Sequence, residues 1–272
     1  MAPPASERAS PARPSALAVV PARLGSTRLA RKMLLRESGH YLFEHTVRGV
    51  RRARSLASVV LATDSEEILA AAREIGVPAL LTSPAHASGT DRVHEAHELL
   101  VARGEGPFDV VLNVQGDEPE IAGESLDPLV AAFADGSVEL ATLATPLADA
   151  RAAHDPSIVK VVLDRNGDAL YFSRAPIPGH APGSSAAGPW LRHVGVYAFR
   201  PDALRRFRAL PRGELEARES LEQLRWLEAG LRLRVLVSAE GSSGIDTPEH
   251  YAQFLARERA RQGSSPRARS HA

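Results

Sequence analysis

The sequence predicts an α/β fold: a mainly parallel central sheet flanked by helices, with a smaller hairpin-containing subdomain. Short apolar runs alternate with helical segments through the first half, the pattern of parallel strands covered by helices. Those runs are continuously apolar rather than alternating, as strands buried on both faces require. After about residue 155 the chain changes character, and an Asn166-Gly167 pair between two apolar runs marks a hairpin.

Taken in order, residues 1–15 are rich in Pro, Ala and Ser without a hydrophobic period, and a disordered lead-in is expected. A single domain is expected over 16–260, with the subdomain at about 155–200. The first strand is predicted over 17–21, followed by a loop over 22–32. A helix over 44–54, a strand over 58–63 and a helix over 66–75 come next, the last capped by Asp64-Ser65. A short strand over 77–81 leads through a polar loop, 82–92, into a helix over 93–101. The run Val110-Val111-Leu112-Asn113-Val114 is the central strand, stopped by Gly116 and by Pro119, which cannot continue a ladder. A helix over 126–133 and a strand over 138–144 complete the first half. Strands over 158–164 and 169–172 form the hairpin, 179–189 is a loose loop, and 191–199 alternates as a half-buried strand. One continuous helix is expected over 215–227, on which Glu219 and Gln223 share a face and Glu216 and Glu219 are solvated. Trp226 and Phe207 are assigned to the core. Lys160 is open between exposed strand residue and site residue. A strand over 233–237 precedes a last helix, where Thr247 as cap and Pro248 at the first position signal the start. A Ser/Arg-rich tail over 261–272 is expected to be disordered.

Composition narrows the function. Lys plus Arg and Asp plus Glu each number 33, so bulk attraction to nucleic acid or membrane is not expected. Cysteine is absent, which excludes disulfides, thiolate metal sites and cysteine nucleophiles. No apolar stretch has the length of a membrane span or precedes a signal-cleavage pattern, and a cytoplasmic enzyme is the expectation.

Three polar segments follow strand ends, where open α/β sheets place ligands. Asp117 and Glu118, after the central strand, suit Mg²⁺ held by few protein oxygens plus substrate phosphates, or else make an acidic turn capping the next helix. The loop over 22–32 carries Arg23, Arg28, Arg31 and Lys32 with Gly25 and Ser26, which suits phosphate as well as a solvated basic loop. It lacks the Gly-Lys-Ser/Thr ending of a Walker A loop. Ser88, Gly89 and Thr90 offer hydroxyls and bare backbone to a base or ribose, or form a helix N-cap.

Together, Val20-Pro21-Ala22-Arg23, Ser26-Thr27-Arg28-Leu29, Ser88-Gly89-Thr90-Asp91-Arg92, Asn113-Val114-Gln115-Gly116-Asp117-Glu118-Pro119, Arg192-His193-Val194-Gly195-Val196-Tyr197 and Gly244-Ile245-Asp246-Thr247-Pro248 resemble the sugar-acid cytidylyltransferases. Within them the resemblance is to the 3-deoxy-manno-octulosonate cytidylyltransferase (CMP-KDO synthetase) family, over about residues 17–257. The resemblance implies a glycosyltransferase-A-like nucleotide-binding fold, usually homodimeric. It also implies transfer of CMP from CTP to 3-deoxy-D-manno-octulosonate (KDO), releasing pyrophosphate, for lipopolysaccharide biosynthesis. Carried over residue by residue, Arg23, Arg28 and Lys32 are the triphosphate ligands. Ser88, Gly89, Thr90 and Gln115 are cytidine contacts, and Asp117 and Asp246 are the Mg²⁺ carboxylates. Lys32, Asp117 and Asp246 are the catalytic set. Arg174, His193, Tyr197, Glu222 and Gln223 form the sugar side, with Arg174 facing the KDO carboxylate.

This chain departs from the family where its loop usually reads Ser-Thr-Arg-Leu-Pro-Gly-Lys-Pro-Leu. Ala30, Arg31 and Met33 replace both prolines and the glycine, which bears on turnover more than on the reaction. Rival readings are a cytidylyltransferase for an 8-amino KDO analogue or a sialic acid, and a glycosyltransferase or non-catalytic nucleotide-sugar binder on the same fold. An Asp-x-Asp pair, expected of a glycosyltransferase, is missing at Gly116-Asp117-Glu118.

Overall fold

A computed structural model describes residues 14–26, 28–147, 149–179, 190–239 and 241–264. The expected lead-in and the 179–189 loop lie almost wholly outside these residues. Nine strands among them form one sheet, in the order β3-β2-β1-β4-β8-β5-β9. The parallel half consists of β1 (Ala16–Ala22), β2 (Leu56–Thr63), β3 (Ala79–Leu81) and β4 (Val110–Val114). In the second half β8 (Leu191–Phe199) runs antiparallel to both β4 and β5 (Leu140–Pro146), and β9 (Arg234–Val237) is parallel to β5. The hairpin β6 (Lys160–Leu163) and β7 (Ala169–Ser173) joins the same sheet through β6 and β8. Its turn accommodates the left-handed backbone of Gly167 (φ 83°).

The sheet is the middle of three layers. Alternation sends Ala16, Ala18, Val20, Val110, Leu112 and Val114 to one face, against α1 (Leu42–Val50), α2 (Glu66–Glu74) and α4 (Leu126–Ala131). Leu17, Val19 and Val111 point the other way, against α3 (Gly89–Ala102), α5 (Pro201–Ala209) and α7 (Gln223–Glu228). The core assigned to Trp226 and Phe207 lies here, at 0% and 3% exposure. A smaller cluster of Leu42, Ile245, Tyr251 and Phe254 packs α8 (Pro248–Ser264) beside α1. Thr247 caps α8 through His250 N (3.2 Å), as the Thr-Pro pair predicts. The helix continues to Ser264, four residues into the expected tail.

Several expectations are corrected. The helix expected over 215–227 is two helices, α6 (Glu214–Glu219) and α7, broken where Ser220 takes a left-handed conformation (φ 53°). Glu219 and Gln223 therefore do not share a helix face. Neither Glu216 nor Glu219 is solvated in the expected way. Glu216, 6% exposed, accepts both Nε and Nη2 of Arg225 (2.8 and 2.7 Å). Glu219 accepts Ser173 Oγ (2.7 Å) and Arg174 N (2.9 Å), tying α6 to the end of β7. Lys160 is neither exposed nor in the site: fully buried, its ammonium donates to the carbonyls of Asp155, Ile158 and Arg174. The helix α5 went unpredicted, and α3 begins four residues before its expected start.

Candidate active site

The strand order reverses between β1 and β4, and the loops that leave these two strands enclose a cavity of about 240 Å³. Gly116 lets the two strand ends approach: a Cβ there would lie 2.8 Å from the Pro21 carbonyl oxygen, inside contact distance. Gly116 N donates to that same oxygen (3.3 Å). Of the sequence-predicted residues, Arg23, Arg28, Lys32, Ser88, Gly89, Gln115, Asp117 and Asp246 line the cavity.

At its floor the ammonium of Lys32, whose side chain is 11% exposed, is held by both distant aspartates. It contacts Asp117 Oδ2, lies 3.1 Å from Asp246 Oδ1 and donates to Ile245 O (2.9 Å). Ile245 N donates in turn to Asp117 O (2.9 Å), which fastens the 244–247 segment to the end of the central strand. Arg28 Nη2 reaches Asp246 Oδ1 from the solvent side (3.1 Å). Burial alone would raise the Asp246 pKa; the Lys32 charge and hydrogen bond, with Arg28, outweigh it and hold the carboxyl below its ordinary value. Lys32 sits in a 3-10 turn that follows Arg31, itself left-handed (φ 53°) and paired with Glu67. That is the position where the loop of the family this chain resembles carries glycine, the residue that adopts a left-handed backbone most easily.

Ser88 is the N-cap of α3: its Oγ accepts Asp91 N (3.1 Å) and donates to Asp91 Oδ2 (3.1 Å). Both readings of this segment thus meet in one place, with the cap presenting Ser88 and Gly89 to the cavity. Thr90 turns inward, 1% exposed, and donates to Glu222.

None of the five residues expected on the sugar side is in the cavity lining. His193 lies edge-on to Phe172 (5.0 Å between ring centroids), 5.4 Å from Tyr197, with Nε2 2.9 Å from Thr142 Oγ1. Burial, then the Arg192 guanidinium, pushes the His193 imidazole down to about 3, so it is neutral near pH 7. Burial also raises the Tyr197 and Glu222 pKa values, the Glu222 charge adding to the first and the Thr90 hydrogen bond opposing the second. Gln223 Nε2 is buried with no partner among the described residues. Arg174 is held elsewhere: Nε donates to Glu219 O (2.8 Å) and Nη1 to Pro156 O (2.9 Å).

The structure adds residues that sequence reasoning left without a role. Arg92, 4% exposed, lines the cavity and donates to Asp64 Oδ2 (2.7 Å), which explains the Asp that follows β2. His86 also lines it and is paired with Glu95. Glu118, offered by the sequence together with Asp117 as a Mg²⁺ carboxylate, is absent from the cavity lining: 7% exposed, it accepts the Ser242 hydroxyl and so tethers the segment leading to Asp246. Burial, with the charges of Asp117 and Asp246, raises its pKa to about 7 against the Ser242 hydrogen bond.

Four cationic side chains thus face two carboxylates around one cavity, an excess that suits a polyanion. The two carboxylates also fit a hard divalent cation, being oxygen donors too few to complete its shell alone, at a place that already holds one cation, the Lys32 ammonium, which a metal would have to displace.

Comparison with known proteins agrees with this geometry. A family model described as cytidylyltransferase matches residues 17–234. A 3-deoxy-manno-octulosonate cytidylyltransferase of Anaeromyxobacter sp. (strain Fw109-5) is 49% identical over 249 residues, 92% of this chain and 97% of that protein. One from Nitratidesulfovibrio vulgaris (strain DP4) is 48% identical, over 85% and 91% of the two chains. The CTP complex of a CMP:2-keto-3-deoxy-manno-octonic acid synthetase superposes with a TM-score of 0.82 at 36% identity, covering 91% of this chain and 99% of that one. With site geometry, matched span and near-complete coverage in agreement, the chain belongs to the cytidylyltransferase family, in its 3-deoxy-manno-octulosonate cytidylyltransferase branch.

Proposed function

We propose that this chain transfers CMP from CTP to KDO, releasing pyrophosphate and supplying CMP-KDO for lipopolysaccharide biosynthesis. The observation that carries the reading is the Lys32 ammonium seated between Asp117 and Asp246 in a cation-lined cavity at the switch point of the sheet.

In the reaction the anomeric hydroxyl oxygen of KDO bonds to the α-phosphorus of CTP. The bridging bond between the α- and β-phosphates breaks, the hydroxyl proton passes to solvent water, and pyrophosphate departs with the electron pair. Arg23, Arg28 and Lys32 offset the β- and γ-phosphate charge, which grows as that bond breaks. Ser88, Gly89 and Gln115 border the cavity on the α3 side and form the cytidine wall. His193, Tyr197, Glu222 and the Gln223 Nε2, which has no partner among the described residues, supply donors and acceptors for the sugar hydroxyls. Asp117 and Asp246 would hold Mg²⁺, which when bound polarises phosphate oxygens and neutralises their charge. Arg174, pinned to two backbone carbonyls, must leave them to meet the sugar carboxylate. A cytoplasmic homodimer belongs to the same reading, the hairpin tip with its exposed Leu170 being part of the face a second copy would cover.

Incubation with CTP, Mg²⁺ and KDO, followed by pyrophosphate release and detection of CMP-KDO, tests the assignment, and parallel runs with the 8-amino analogue and a sialic acid rank the acceptors. Asp117→Asn is expected to lose ~100-fold or more in turnover while remaining folded. No CMP-sugar from any acceptor, or near-normal turnover by that variant, would overturn it.

A further inference from the structure

Asn113 is fully buried in β4, in register with Val19 of β1 on one side and Tyr197 of β8 on the other. Alternation places it with Val111 on the face that packs against α3. The transfer chemistry described above leaves it unused, yet both ends of its amide are engaged. Nδ2 donates to Thr90 Oγ1 (3.2 Å), and Oδ1 accepts from Gln115 Nε2 (3.2 Å). Thr90 donates its hydroxyl proton to Glu222 Oε1.

This chain of hydrogen bonds runs in one direction, and its end sets that direction. The Thr90 hydroxyl has a single proton, and it goes to Glu222. The Thr90 oxygen is then left to accept, and Asn113 must turn its NH₂ toward it. That turns Asn113 Oδ1 toward Gln115, which must answer with its own NH₂. Gln115 borders the cavity, its amide lying 3.5–3.6 Å from where a Cβ on Gly89 would stand. Its remaining atom, Oε1, accepts no hydrogen bond from the described residues.

We infer that Asn113 is a positioning residue: with Thr90 and Glu222 it fixes the Gln115 amide so that a carbonyl oxygen, and not an NH₂, meets the substrate. The site thereby selects a ligand that brings a hydrogen-bond donor to that point. The inference rests on the reading of the cavity as a site for CTP and a sugar acid. Two groups of those substrates carry such a donor: the exocyclic amino group of cytosine, where uracil carries an oxygen, and a hydroxyl of the sugar.

Asn113→Leu and Thr90→Val break the chain and free the amide to turn over, whereas Thr90→Ser keeps the hydroxyl that relays it. Calorimetric titration with CTP and with UTP measures base preference, and turnover at saturating CTP gives the KM for KDO. If the donor is the cytosine amino group, preference for CTP over UTP is expected to fall about tenfold in both broken variants, with KM for KDO unchanged. A sugar hydroxyl would leave the base preference intact and raise that KM about tenfold. In either case Thr90→Ser should match the parent protein. A structural role alone would lower the unfolding temperature and leave both quantities where they were, which overturns the inference, as does a loss in Thr90→Ser equal to that in Thr90→Val. Should Asn113→Leu fail to fold, the two Thr90 variants decide. If the parent protein makes no CMP-KDO, the proposed function fails separately, and the CTP and UTP titrations then decide this inference alone.

Discussion

Replacing Lys32 with methionine removes the ammonium that separates Asp117 from Asp246 and keeps most of the volume. Three contacts disappear: those to the two carboxylates and the bond to Ile245 O. Breaking a buried ion pair by deleting one partner costs about 3–5 kcal/mol, because the surviving charge stays uncompensated. The site is only partly buried, with side-chain exposures of 11% for Lys32, 21% for Asp117 and 38% for Asp246. Solvent and Arg28 screen Asp246, which brings the expected loss down to about 2 kcal/mol. For a chain of this length that lowers the unfolding temperature by about 4–8 °C. The diagnostic part is the response to Mg²⁺. In the variant the empty gap between two carboxylates is a better cation seat, so millimolar Mg²⁺ should restore most of the loss. In the parent protein the metal must first displace an ammonium, and the gain should be smaller. Scanning calorimetry of both proteins with Mg²⁺ and with EDTA reads this out. An unfolding temperature unchanged by the substitution, or an equal Mg²⁺ shift in both proteins, would refute the electrostatic picture of the cavity floor.

Two further outcomes follow from residues around that floor. The Glu118 carboxyl has its pKa raised from 4.5 to about 7 in the folded protein, so its burial is tolerated while it is protonated, below pH 4.5, and stability is lost as pH rises toward 7. The gap corresponds to about 3 kcal/mol. Metal-free Glu118→Gln should lack this decline between pH 5 and 8 in urea titrations, and an unchanged pH profile would contradict it. Arg31 holds a left-handed backbone (φ 53°) and an exposed ion pair with Glu67. Arg31→Gly is expected to be more stable than Arg31→Ala by about 1 kcal/mol, since both lose the pair and only alanine keeps the steric cost. Denaturant midpoints would show the reverse order if this loop were unstrained.

The part of the fold most legible in the sequence is the part fixed by burial pattern. Continuous apolar runs locate β1, β2 and β4, and residues past the ends of β1 and β4, namely Arg23, Arg28, Lys32, Gln115 and Asp117, converge on one cavity as strand-end residues should. Asp246, more than a hundred residues from Asp117, depended on resemblance, since its local signal is only that of a helix start. What was not legible depends on tertiary partners. The break at Ser220 has no glycine to announce it, and it is stabilised by Glu219 reaching β7 and Glu216 reaching Arg225. Lys160 stays open between an exposed strand lysine and a site residue because nothing local reveals three carbonyls gathered around its ammonium. The helix α5 buries Ala203, Leu204 and Phe207, but its arginines and aspartate dilute the period. Arg174 shows the same limit on the functional side: its motif suggests a ligand, while its neighbours hold it against backbone carbonyls.

The most direct test is a crystal structure with CTP and Mn²⁺ in place of Mg²⁺, located by anomalous scattering. The expected map has a metal peak bound by Asp117 and Asp246, with Lys32 swung from between them onto the triphosphate beside Arg23 and Arg28. A peak remote from both aspartates, or Lys32 still bridging them beneath bound nucleotide, would contradict the account.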